Sequence, residues 1–294
     1  MIKQLLAGFA ILAALAVVTP SIAQGEVSMS VPSKSDRVAV NGIEIYYEIH
    51  GEGSPLVMLH GGVNPSEMFG APLAAMAESH QVIAVHLRGH GLSSDAAAPW
   101  STEQMADDVD ALLDKLGFGR VDVMGWSLGA GVALQTAIRH PDRVGKLVVI
   151  GINVKTSGNY PEVQAAFEQM PAMAATIGGQ LAQSPLATLY PDVDWETLLR
   201  KTGEMSRAPR DWSADVKNIK APTLLVFADA DMMYPEHIAE MYRLFGGGTR
   251  DAGFDGSARP TVNQLAIIPG TTHYDVLQKG LRPVTDYAKA FLAQ

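Results

Sequence analysis

Short, near-continuous apolar runs alternate with amphipathic stretches along this chain from about residue 37 onward. The runs at 55–59, 82–86, 121–124, 145–150, 223–227 and 265–268 are too short for helices and mostly rich in Val, Leu and Ile. They predict strands, several of them buried on both faces. Residues 66–79, 102–116, 128–140, 236–245 and 284–292 predict helices. In 102–116, Met105, Val109, Leu112, Leu113 and Leu116 fall on one helical face, with Thr102 as the cap and Gly117 as the stop. Residues 37–40 and 43–48, joined by Asn41-Gly42, predict a hairpin whose turn uses positive φ. Strands alternating with helices imply an α/β fold, a mostly parallel, doubly wound sheet with helices on both faces. The rhythm breaks over 152–218, where prolines and bulky apolar residues carry no strand pattern. A helical cap is expected there, inserted into a core formed by 37–151 and 219–294.

The N-terminus is a different object. Lys3 precedes an apolar run over residues 5–18, followed by the small residues Ser21 and Ala23. This pattern predicts a signal peptide over 1–23, removed near Ala23, and a periplasmic or secreted protein. The run is too short to span a bilayer, which takes about 20 residues, so no stable membrane anchor is expected. Residues 24–36 are polar and read as a loose segment. The chain of 294 residues contains no cysteine, which rules out disulfides and thiolate chemistry. With 22 basic against 31 acidic residues and no basic run, no nucleic-acid partner is expected.

Chemistry concentrates where strands end, since ligands of an open parallel sheet sit beyond the carboxyl ends of its strands. Gly125-Trp126-Ser127-Leu128-Gly129 follows the run 121–124 and opens a helix. A turn that sharp needs small neighbours, and it lifts the Ser127 hydroxyl above the sheet edge beside the amide of Leu128. His60-Gly61-Gly62 follows 55–59, Asp229-Ala230-Asp231 follows 223–227, and His273 follows 265–268. Serine, carboxylate and histidine therefore share one edge. The histidine can take the serine proton, and a carboxylate can fix the histidine tautomer. Asp229 and Asp231 both follow the strand; Asp229, nearer its end, is the better placed to brace the turn through backbone amides.

These motifs, together with Arg88-Gly-x-Gly-x-Ser93, make the chain resemble the α/β-hydrolase superfamily over about residues 37–294, and within it the capped serine carboxylesterases. The resemblance implies Ser127 as nucleophile, His273 as base and Asp231 as orienting acid. It also implies an oxyanion hole formed by the amides of Leu128 and of Gly62, with Val63 as the alternative to Gly62. His86 and Ala228 stand where such proteins often carry Asp and Gly. A serine at the elbow argues against the superfamily's dehalogenases and epoxide hydrolases.

The remaining candidates read plainly. His60 is expected to be structural in its loop, and His50, His80, His90, His140 and His237 to lie at the surface or at helix ends. None shows metal-ligand spacing, no phosphate loop is present, and neither metal nor cofactor is expected. Trp126, Met170, Met173 and Trp195 are candidate pocket residues. With an apolar cap poor in basic residues, the expected substrate is a small, largely uncharged ester cleaved through an acyl-enzyme. A lactonase, perhydrolase or carbon–carbon bond hydrolase on the same residues, or a non-catalytic ligand-binding protein, are the alternatives.

Overall fold

A computed structural model describes residues 30–63 and 69–294; the expected signal peptide over 1–23 lies outside the described residues. Strands β1 (Lys34–Val40) and β2 (Ile43–His50) form the predicted hairpin, with φ of 45° at Asn41 and 79° at Gly42. Positive φ at both turn residues matches the right-handed twist of the two strands. β1 begins inside the stretch read as loose, because residues 34–36 pair with residues 47–49 of β2.

The sheet continues through β3 (Ser54–Leu59), β4 (His80–Val85), β5 (Val121–Trp126), β6 (Val144–Ile150), β7 (Thr223–Ala230) and β8 (Gln264–Thr272). Its spatial order is β1-β2-β4-β3-β5-β6-β7-β8, antiparallel at the β1-β2-β4 edge and parallel from there on. Alternate residues of the central strands feed two cores. Val57, Leu59, Leu147, Val149, Leu225 and Phe227 face one, while Leu56, Met58, Val148, Ile150, Leu224 and Val226 face the other. Burial on both faces is why these strands read as unbroken apolar runs.

Helices cover both faces. α1 (Ala71–Ala77) is followed by α2 (Thr102–Leu116), which ends at Gly117 with φ 75°. The cap of α2 is Ser101, whose hydroxyl accepts from the amide of Gln104, and not Thr102 as expected. Ser101 keeps the extended backbone that a capping residue needs, while Thr102 is already helical. α3 (Leu128–Arg139) rises from the β5 turn.

Between β6 and β7 the chain leaves the sheet for α4 (Pro161–Leu181), α5 (Pro185–Leu189), α6 (Trp195–Arg207) and α7 (Ser213–Val216). α4 and α6 approach closely. A Cβ at Gly203 would meet Pro171 Cδ at 2.7 Å, and one at Gly178 would meet the Glu196 amide at 2.7 Å. The insertion is tied to the core by the buried Lys201, whose ammonium reaches Asp95 at 2.6 Å and the carbonyls of Ala96 and Ala98. α8 (Pro235–Leu244) and α9 (Leu281–Leu292) complete the flanking layers.

The Arg88 motif proves to be a brace. Arg88 grips Asp108 of α2 through two hydrogen bonds of 2.8 Å, with both side chains buried. The Ser93 hydroxyl donates to the carbonyl of His86 and accepts from the amide of Tyr46. His50, His80 and His90 are buried and at no helix end, contrary to expectation. His237, in the first turn of α8, and His140, at the end of α3, stand at helix ends as expected, His237 buried and His140 partly open. The four buried ones were read from local context and are enclosed by elements distant in sequence.

Candidate active site

Ser127 sits between β5 and α3 with φ 53° and ψ −116°, a region that non-glycine residues occupy at a cost of about 1–3 kcal/mol. Its neighbours fix it there. The Ser127 amide donates to the Ile150 carbonyl at 2.9 Å, and its carbonyl accepts from Gly131 at 3.1 Å. A Cβ at Gly125 would lie 2.2 Å from the Gly129 carbonyl oxygen, and one at Gly129 would lie 2.1 Å from that of Leu59. Glycine on both sides is therefore a steric requirement of the turn.

The serine hydroxyl lies 3.0 Å from His273 Nε2, and His273 Nδ1 lies 2.9 Å from Asp231 Oδ1. A carboxylate at Nδ1 holds the ring proton there and leaves Nε2 free to accept from the serine. Asp231 is aimed by two further donors, the amides of Ala228 at 3.1 Å and Met232 at 2.8 Å. Burial pushes its pKa up, but the charge and hydrogen bond of His273 and these amides outweigh it and leave the pKa below the ordinary value. Gly151, just past β6, keeps the space clear; a Cβ there would come within 3.1 Å of His273 Nδ1. Beside the pair, burial and the Asp231 charge push the Tyr274 phenol up to about 12, so it stays protonated.

Asp229 serves the same loop differently. Its carboxylate accepts from the amides of Gly270 at 2.9 Å and Thr271 at 3.1 Å, in the turn that delivers His273. Those amides hold its pKa down.

His60 is structural. Its Nδ1–H donates to the Gly61 carbonyl at 2.7 Å and its Nε2 accepts from the Leu87 amide at 3.0 Å, tying the His-Gly-Gly loop to the end of β4. Burial, with the nearby His90, drives its pKa well below the usual histidine value, so it remains neutral. Gly62, Val63 and Leu128 line the same cavity as Ser127. The Leu128 amide belongs to the first turn of α3, where no intrahelical acceptor exists. Val63 has φ 68°, a value that β-branched residues rarely adopt.

The cavity measures about 130 Å³ and is roofed by the insertion through Val163, Phe167 and Met170 of α4 and Thr202 and Met205 of α6. Of the four candidate pocket residues only Met170 lines it. Trp126 instead lies under the loop, against Gly61 and 5.8 Å from the His273 ring. Met173 sits one turn further along α4, half-buried and packed against the hydrophobic core. Trp195 opens α6 seven residues before Thr202, about 10 Å away along the axis.

Arg210 and Asn153 also face the cavity and were not singled out from the sequence. One arginine between Pro209 and Asp211 carries no local signal; only the fold turns it inward. Among the described residues no cluster of His, Asp or Glu could hold a metal ion, and no helix is long and apolar enough to cross a membrane.

Comparison with known proteins agrees with this architecture. A family described as "alpha/beta hydrolase fold" matches residues 54–192. A putative carbamate hydrolase RutD of Caulobacter segnis is 36% identical over 130 residues, 42% of this chain and 48% of that protein. A 2-hydroxymuconate semialdehyde hydrolase of Pseudomonas sp. (strain CF600) is 35% identical over 124 residues, 41% and 44% respectively. The matched stretch thus spans about half the length of either relative. The crystal structure of an alpha/beta hydrolase enzyme from a Medee basin deep-sea metagenome library superposes with a TM-score of 0.73 at 19% identity, covering 88% of this chain and 98% of that one.

Proposed function

We propose, for a chain that belongs to the α/β-hydrolase superfamily, that it is a serine hydrolase cleaving a small carboxylic ester through an acyl-enzyme. The observation that carries this reading is the continuous chain Ser127 Oγ–His273–Asp231, at 3.0 and 2.9 Å, beneath a cavity roofed by the insertion.

In the reaction, His273 Nε2 takes the Ser127 proton as Oγ attacks the ester carbonyl. The carbonyl oxygen becomes an oxyanion, met by the Leu128 amide and that of Gly62 or Val63. Asp231 stabilises the imidazolium. Collapse breaks the ester C–O bond, and the alcohol leaves with the proton from His273. Water then adds to the acyl-enzyme with His273 as base, the carboxylic acid departs, and the serine is restored. Side chains and water balance every step.

The test is twofold. A fluorophosphonate should add one adduct, on the peptide holding Ser127, and Ser127→Ala should lower kcat by about a millionfold. Labelling elsewhere, or near-normal turnover in the variant, overturns the reading.

A second reading, hydrolysis of a carbamate or of a semialdehyde substrate by the same residues, is favoured by the names of the two relatives. Residues 1–23 support export as part of the proposal. Intact-mass measurement of exported protein should find a start near Gln24, and a chain retaining residues 5–18 refutes it.

A further inference from the structure

The cavity above Ser127 is lined by a cation, Arg210, that no carboxylate among the described residues pairs with within 4.0 Å. Arg210 is held rigidly from behind. Its amide donates to the Thr156 hydroxyl at 2.9 Å, its carbonyl accepts from the Thr156 amide at 3.0 Å, and Lys155 pairs with Asp211 as an antiparallel bridge. The guanidinium lies 5.1 Å from the Trp212 ring and donates through Nη2 to Asn153 Oδ1. Asn153 is fixed in turn, because its amide nitrogen donates to the Lys155 carbonyl at 2.6 Å.

Of the five N–H donors a guanidinium carries, Nε is buried with no acceptor among the described residues. No carboxylate among them lies within 4.0 Å of the group. Arg210 is partly exposed and is one of the residues that line the cavity. Burial lowers its pKa to about 10 against the weaker pull of Glu103, so it remains charged at neutral pH. A guanidinium buried without a carboxylate is costly. An acceptor-rich anion in the cavity would meet Nη1, which also has no acceptor among the described residues but is not sealed off as Nε is, and would offset that cost.

We propose that Arg210, oriented by Asn153, forms a carboxylate-binding subsite, so that the substrate is an ester carrying a second, free carboxylate. The apolar side chains of Val163, Phe167 and Met170 line the cavity and suit a short hydrocarbon link between the two ends. This rests on the serine-hydrolase reading and replaces the expectation of an uncharged substrate. That expectation counted basic residues in the insertion, whereas the deciding quantity is where a single one points.

The experiment compares monoethyl glutarate and monoethyl adipate with ethyl pentanoate and ethyl hexanoate by titration of released acid. It adds calorimetric binding of glutarate and adipate to the full chain. In the wild type the half-ester should exceed its neutral partner in kcat/KM by about tenfold or more, the scale of a charge-assisted hydrogen bond. Arg210→Gln should lower that ratio by a similar factor, mainly through KM, and Arg210→Lys should retain part of it. Should the Gln variant fail to fold, the wild-type ratio and Arg210→Lys still decide.

Neutral esters cleaved as well as half-esters, with no dicarboxylate binding, overturn the subsite while leaving the serine reading intact. Dicarboxylates that bind through Arg210 to a chain that cleaves no ester uphold the subsite and refute the serine reading. A fall in all rates at an unchanged ratio in Arg210→Gln makes the arginine merely structural and refutes the proposal.

Discussion

Asp231 Oδ1 stands 2.9 Å from His273 Nδ1, while Asp229, two residues earlier on the same strand end, turns instead to the amides of Gly270 and Thr271. The irregularity of β7 between Ala228 and Ala230 separates them. One carboxylate orients the histidine and the other shapes the loop that presents it.

Asp231→Asn should therefore cut kcat by about ten-thousandfold, since an amide favours the wrong histidine tautomer. Asp229→Asn should cost far less in rate and lower thermal stability. Steady-state kinetics of both variants, with a folding check by circular dichroism, measures this. A crippled Asp229→Asn beside an Asp231→Asn within tenfold of wild type reverses the assignment.

The buried histidines make the fold acid-sensitive. His90 lies between the rings of Trp100 and His60, at 5.2 and 5.1 Å, and burial lowers its pKa to about 4. A histidine depressed in this way gives its full stability above the unfolded value near 6.5 and loses it as pH falls toward the folded value. The loss from His90 alone is about 3 kcal/mol between pH 6.5 and 4. His60, shifted in the same direction, adds to it. Thermal melts across this window should fall steeply for the wild type and less steeply for His90→Asn. Equal slopes count against the assignment.

Asp108→Ala should destabilise the protein by about 3–5 kcal/mol, because it leaves the Arg88 guanidinium buried without its carboxylate. It also removes the acceptor of the Asn41 side-chain amide in the hairpin turn. Denaturant titration checks this, and a midpoint close to wild type argues against the brace.

Met170→Ala should change the ranking of esters by acyl or alcohol size, while Met173→Ala and Trp195→Phe should leave the ranking in place. A panel of ester chain lengths reads the difference. A ranking moved by Met173 or Trp195 contradicts the cavity described here.

Much of the architecture was legible because it follows from local rules. Apolar runs marked β3, β5, β6 and β7, since a strand covered on both faces has no polar alternation to disguise it. Asn41-Gly42 announced the hairpin and Gly117 the end of α2, each through the positive φ observed there. Gly125 and Gly129 marked the turn at Ser127, because any side chain at either would strike backbone atoms.

What the sequence determined by itself, then, was the order of elements and which chemistry-bearing residues stand at strand ends; both depend on neighbours along the chain. Tertiary structure alone decided which face of α4 meets the cavity, that four histidines are enclosed, and that Arg210 lines the cavity with no carboxylate of the described residues paired to it. Desolvation is the physical reason. The exposure, charge cost and pKa of a side chain are set by atoms that come from distant parts of the chain, and no local pattern encodes them.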